Sequence, residues 1–132
     1  MIEIYCDGGA RGNPGPAAAG FVVKVDGQIV AEEGQYIGIA TNNFAEYTAV
    51  IAALKWLAKV YRGQDLNFFL DSQLVVSQLS GLYKIKNATI RNLVLEVKAL
   101  ENQFGQTRYN YVPRAKNKEA DRLVNLALDS KI

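Results

Sequence analysis

The sequence predicts an α/β domain built on a mixed sheet, from three observations. Asp26-Gly27 lies between two strand-like runs, and Asp-Gly in that setting is a strong signal for a two-residue hairpin turn. LNFFL, residues 66–70, is short, apolar and set between helical stretches, which suits a buried parallel strand. The elements follow in the order βββαβααβα, and right-handed crossovers between the later strands leave strands 1, 4 and 5 parallel.

Each element has a local reason. IEIYC (2–6) is rich in β-branched and aromatic residues and forms the first strand, ending on Asp7. CDGGARGNPGPAAAG (6–20) connects it to the second, and runs at 17–25 and 28–38 flank the hairpin turn. In TNNFAEYTAVIAALKWLAKVYRG, Ala49, Val50, Ala53, Leu57, Val60 and Tyr61 recur at helical spacing and Gly63 supplies the stop. Asn43 is a candidate N-cap for this helix. After LNFFL, Asp71 and Ser72 open a helix that runs to about Leu79. SGLYKIKN reads as a loop, 88–103 as a helix, TRYNYV (107–112) as the last strand closed by Pro113, and 116–129 as the final helix. With no repeats, linkers or low-complexity segments, residues 1–132 are expected to form a single domain.

Composition narrows the chemistry. At 49% hydrophobic, the 132 residues can bury a substantial core. No run reaches the ~18 apolar residues of a membrane span, and Met1 leads into a strand without a signal-peptide pattern, so a cytoplasmic protein is expected. Cys6 is the only cysteine, which leaves no internal disulfide and no thiolate zinc cluster. The net charge of +2 does not by itself mark a nucleic-acid binder, although Lys84, Lys86, Arg91, Arg114, Lys116, Lys118 and Arg122 gather in the second half. The chain has no histidine. That removes Ser-His and Cys-His nucleophilic pairs and the common zinc sites. For an enzyme, it leaves carboxylate-held hard-metal chemistry as the leading option.

Four carboxylates occupy positions that this layout can bring together: Asp7, Glu46, Asp71 and Asp121. Each also has an ordinary explanation. Asp7 precedes Gly8-Gly9 and suits a turn. Glu46 falls three residues after Asn43, as in a capping box, yet it is in line with the apolar stripe through Ala49 and Val50. Asp71 could cap the helix that follows, with Ser72 as the competing choice, but it also ends a parallel strand, where ligands gather. Asp121 belongs to a polar row, Asn117, Asp121 and Asn125, beside the buried face of the last helix. If strands 1 and 4 are neighbours, Asp7 and Asp71 lie on backbones about 4.8 Å apart, close enough to share metal ions.

In order and spacing, Asp7 in DGGARGNPGPAAAG, Glu46 in TNNFAEYTAVIAAL, Asp71 in DSQLVVSQL and Asp121 in VPRAKNKEADRLVNLAL resemble the ribonuclease H type 1 family, over essentially the whole chain. The resemblance implies a ribonuclease H-like fold, a five-stranded mixed sheet of order 3-2-1-4-5 with helices on both faces. It also implies endonucleolytic hydrolysis of the RNA strand of RNA/DNA hybrids to 5′-phosphate and 3′-hydroxyl ends. The four acids are then the catalytic and metal-binding residues, holding two Mg²⁺ ions with Mn²⁺ as a substitute. Asp7 bridges both ions and Asp121 is the more loosely engaged.

The same resemblance implies substrate contacts by Asn13, Thr41, Asn42, Asn43 and Gln73. Gly8, Gly9, Arg114 and Asn117 are further candidates, the glycines because they let a nucleic-acid backbone come close. Asn13-Pro14 and Thr41 to Asn43 also have a local reading as turn and cap residues. The chain departs from many family members in two ways. PRAKNK offers Arg114 and Lys116 where a loop histidine is common, and SGLYKIKN is short where many carry a long basic insertion. A monomer without membrane association is expected, with affinity for the hybrid that is modest and salt-dependent. The rivals are a broader nuclease that also cuts double-stranded RNA, whose duplex likewise displays 2′-hydroxyls, and a non-catalytic nucleic-acid-binding module.

Overall fold

A computed structural model describes residues 1–81 and 84–131. Five strands, β1 (Ile2–Ala10), β2 (Gly15–Val25), β3 (Gln28–Ala40), β4 (Leu66–Leu70) and β5 (Thr107–Tyr111), form one sheet of order β3-β2-β1-β4-β5. The helices are α1 (Asn42–Val60), α2 (Gln73–Leu79), α3 (Ala88–Glu101) and α4 (Lys118–Ser130), with a 3₁₀ turn at Arg114–Lys116 before α4. Strands β1, β2 and β3 are antiparallel, and β4 lies parallel to both β1 and β5. The expected fold class and strand order are those observed.

The period-2 alternation of the strands divides the core between the two faces. Ile2, Ile4 and Cys6 of β1 and Ala19, Phe21 and Val23 of β2 pack with Tyr47, Val50, Leu54 and Leu57 of α1. The same cluster takes in Val75 and Leu79 of α2 and Val97 of α3. Ala18 belongs to a smaller cluster with Val124, Ala127 and Leu128 of α4 on the other face. Asp26 and Gly27 both have positive φ, 51° and 84°, as a type I′ hairpin turn requires. Among the described residues no helix is long and apolar enough to cross a membrane.

Several boundaries differ from expectation. β1 does not stop at Cys6. It continues through Asp7, Gly8, Gly9 and Ala10, pairing with Gly20, Ala19, Ala18 and Ala17 of β2, and with β2 starting at Gly15 most of the supposed connection is strand. The N-cap of α1 is Thr41, whose hydroxyl accepts from the Phe44 amide at 3.1 Å, and not Asn43. Ser72 caps α2 by accepting from the Val75 amide at 3.2 Å, which leaves Asp71 free of capping. The third helix ends at Glu101, and the last begins only after the 3₁₀ turn. Residues 82 and 83 of the expected SGLYKIKN loop lie outside the described residues.

Candidate active site

The unequal lengths of β1 and β4 create the site. β1 pairs with β4 only from Glu3 to Cys6, opposite Asn67 to Leu70, while its remaining residues pair with β2 alone. Above the Cys6–Leu70 pair the sheet is notched, and the next residue on each strand is an acid, Asp7 and Asp71. Gly8 then lets α1 settle onto the strand. A Cβ at Gly8 would collide with the Ala45 carbonyl and with the Glu46 amide nitrogen, so only glycine permits this approach. The close contact carries Glu46 to the notch. Carboxylate oxygens of Asp7, Glu46 and Asp71 all lie within 4.8 Å of one another. Asp121 comes from the first turn of α4 and, with Arg114, lines the same cleft of about 330 Å³, although it is not part of the three-acid cluster.

With Asp7 only 5% exposed, this arrangement is electrostatically strained. Burial, the Asp71, Glu46 and Asp121 charges and a hydrogen bond with Asp121 push the Asp7 carboxyl up to about 8. Glu46 is raised to about 7 by burial and by Asp71, while a hydrogen bond with Ser72 and the charge of Arg114 pull it down. Its buried Oε2 has no hydrogen-bond partner. Glu46 lies five residues beyond Thr41, so the capping-box explanation for it fails. The cluster consists of converging carboxylate oxygens. An oxygen-only donor set with an unpartnered buried oxygen fits a hard divalent cation such as Mg²⁺.

The remaining predicted residues fall into three places. Gly8, Gly9, Asn42 and Arg114 line the acidic cleft. Asn13, Thr41, Asn42 and Asn43 line an adjoining open cleft of about 620 Å³ with Asn87, Thr89 and Ile90. Asn42 and Asn13 also hold the local structure together: Asn42 Oδ1 accepts from the Ala10 amide at 2.8 Å, and Asn13 Oδ1 from the Asn42 amide at 3.0 Å. Gln73 lines a separate groove with Leu74, Val76, Ser77 and Tyr111. Asn117 is only 2% exposed and its Nδ2 is committed to protein atoms, which speaks against a substrate contact. Gly8, expected to make room for nucleic acid, is filled on its Cβ side by α1.

Two residues that sequence reasoning passed over also line the acidic cleft. Arg11 forms an ion pair with Asp129 at 2.7 Å, and Asn125 donates to the Asp121 carbonyl at 3.0 Å. The available signals were the cation within the glycine-rich stretch, for Arg11, and the polar row of α4, for Asn125.

Comparison with known proteins agrees with this geometry. A family model described as "Reverse transcriptase-like" matches residues 5–127. The chain is 44% identical to "Bifunctional protein Rv2228c" of Mycobacterium tuberculosis over 98% of its own length and 36% of that protein's. It is 46% identical to "Ribonuclease HI" of Halobacterium salinarum over 97% of its length and 64% of the relative's. The chain thus spans about a third to two thirds of the length of these curated relatives. Among solved structures, LC11-RNase H1 in complex with an RNA/DNA hybrid superposes with a TM-score of 0.95 at 38% identity, covering 99% of both chains.

Proposed function

The chain belongs to the ribonuclease H type 1 family, and from that premise we propose that it hydrolyses the RNA strand of RNA/DNA hybrids, leaving 5′-phosphate and 3′-hydroxyl ends. The observation that carries the proposal is the convergence of Asp7, Glu46 and Asp71 within 4.8 Å, with Asp121 on the wall of the same cleft. A pure binding module gains nothing from buried negative charge facing phosphates. A hydrolase does, because carboxylates hold the cations that phosphodiester cleavage uses.

Asp7, Glu46, Asp71 and Asp121 would hold two Mg²⁺ ions, with Mn²⁺ as a substitute. When bound, such ions lower the pKa of the attacking water and neutralise charge on the departing 3′ oxygen. The chain's own groups do the rest. Asp7 is held by its pairing with Gly20 on β2, so it would offer its carboxylate to the cations without rearranging. Glu46, in the second turn of α1, would supply its carboxylate to the cations from the α1 side. Arg114 would place the charge of its guanidinium at the cleft wall, facing the cleaved phosphate. Asn13, Thr41, Asn42 and Asn43 line the adjoining cleft, a position from which they would meet the duplex. There they would read 2′-hydroxyls and phosphates more than sequence.

The test is a gel assay on the purified chain with one labelled RNA/DNA hybrid, one RNA duplex and one DNA duplex, each with Mg²⁺ or with EDTA. Cutting of the RNA strand of the hybrid, in Mg²⁺ alone, is the expected result. Equal cutting of the RNA duplex would broaden the substrate class, and binding without cleavage in Mg²⁺ and Mn²⁺ would overturn the assignment as an enzyme.

A further inference from the structure

Asn117 stands where a helix cap belongs and does not act as one. It immediately precedes α4, and asparagine there normally accepts a hydrogen bond from the second or third helical amide. In this chain the Asn117 side chain makes no capping hydrogen bond. It turns inward instead, to 2% exposure. Its Nδ2 donates to the Cys6 carbonyl at 2.8 Å and to Asp71 Oδ2 at 3.3 Å, while its Oδ1 is buried without a partner. A local rule broken at a local cost, next to a cluster of acids, points to a task elsewhere.

The geometry points to Asn117 as a positioning residue for the acidic cluster, and we propose that it acts through Asp71. Its amide joins three elements at the notch: the end of the β1–β4 pairing at Cys6, the first residue beyond β4, and the start of α4. One hydrogen bond on Asp71 Oδ2 restrains rotation of that carboxylate while leaving its other oxygen unclaimed by Asn117. The Asp121 backbone amide donates to the Asn117 carbonyl at 3.1 Å, an intrahelical bond any residue there would accept, so it is the anchored Asn117 side chain that fixes where α4 starts and presents its acid. Asp71 and Asp121, 50 positions apart in the chain, are tied to one asparagine. At 2% exposure Asn117 does not reach a duplex, so its effect must be on the acids and not on substrate affinity.

This inference deepens the nuclease reading and rests on it for the kinetic part of the test only. Asn117→Leu keeps the volume and removes the donors, and Asn117→Ala removes both. Partners that orient metal ligands typically contribute about 10–100-fold in metal affinity or activity. The expectation is therefore a loss of that size in Mn²⁺ affinity, read by calorimetry on folded protein, and a matching loss in kcat with KM for the hybrid unchanged. A volume-filling role would be rescued by leucine, and Mn²⁺ affinity equal to wild type in Asn117→Leu overturns the proposal. So does a rise in KM alone, which would make Asn117 a substrate contact.

Should both variants fail to fold, wild-type protein decides by NMR. The Asn117 side-chain amide must exchange far more slowly than that of exposed Asn102 and must shift on Mg²⁺ titration; fast exchange or an unmoved signal overturns the proposal. A wild-type chain that binds no Mn²⁺ and cuts no hybrid would sink the nuclease reading and the metal-positioning role with it. Normal wild-type cleavage with unaffected variants sinks the Asn117 inference alone.

Discussion

Asp7→Asn should stabilise the metal-free protein, and the gain should grow with pH. In the folded chain the Asp7 carboxyl is raised from 3.8 to about 8 by burial first and by Asp71, Glu46 and Asp121 next. The folded state therefore keeps a proton that the unfolded chain releases, and stability falls as pH rises from 3.8 to about 8. At about 1.36 kcal/mol per pH unit, the full span corresponds to about 5–6 kcal/mol. Relaxation and water entry around a coupled cluster leave about 2–3 kcal/mol of that measurable. Unfolding entropy near 2.1 cal/mol/K per residue makes this about 7–11 °C in Tm for a chain of this size. The assay is thermal unfolding in EDTA of wild type and Asp7→Asn at pH 4.5 and pH 7.5. Subtracting the two proteins at each pH cancels the titrating groups outside the cluster and leaves Asp7 with the acids coupled to it. The variant should match wild type at the lower pH and melt well above it at the higher, and Mg²⁺ should raise the Tm of wild type far more than that of the variant. Equal melting at both pH values, or a variant less stable at pH 7.5, would refute the view of Asp7 as a strained carboxyl that awaits a cation.

Three further outcomes are expected. Glu46→Gln should lower hybrid cleavage by about 10–100-fold or more, as ligand loss outweighs loss of a ligand's partner; it should also raise metal-free stability above pH 7, because Glu46 is itself held near 7. Unchanged cleavage in a gel assay would remove it from the site. Arg114→Ala should lower kcat by about 100-fold and, by removing a charge that pulls Glu46 down, move the acid limb of the pH profile upward, and Arg114→Lys should recover part of the rate, since a point charge matches phosphate less well than a planar fork. Steady-state kinetics showing only a raised KM would leave Arg114 a binding residue. Gly8→Ala should cost about 1–3 kcal/mol or more, or prevent folding, because the new Cβ meets α1 backbone that cannot step aside. A denaturant midpoint within error of wild type would show that α1 is free to retreat.

The four acids were legible because no apolar or redox explanation competed for them in a chain without histidine. The hairpin was legible because Asp26-Gly27 is a purely local signal. What stayed hidden depends on partners far away in sequence. Gly8-Gly9-Ala10 looks like a turn until β2 supplies Ala17 to Ala19 as a ladder. TNN offers three residues that can each cap a helix; Ala10 and Asn13 decide by bonding to Asn42, leaving Thr41 for the cap. Asn117 reads as one of three polar residues spaced by four, and nothing in that row marks it as the buried member.

The route by which the acids reach one point explains why glycines crowd around Asp7. Gly8, its neighbour along β1, meets the backbone of Ala45 on α1. Gly20, its cross-strand partner on β2, would place a Cβ 3.1 Å from the Ala120 carbonyl on α4. On both helices a carbonyl that faces the glycine belongs to an alanine, and on both the residue after that alanine is an acid, Glu46 or Asp121. The two helices pack on opposite faces of the sheet, yet each docks where a side chain is missing beside Asp7. Close backbone packing of this kind tolerates no sliding, so the small residues set the depth of each helix and hence the position of its carboxylate. The repulsion among the acids is opposed by the apolar packing behind these contacts. Enlarging Gly20 should accordingly displace Asp121 while sparing Glu46, and enlarging Gly8 should do the reverse, two separable ways of opening one cluster.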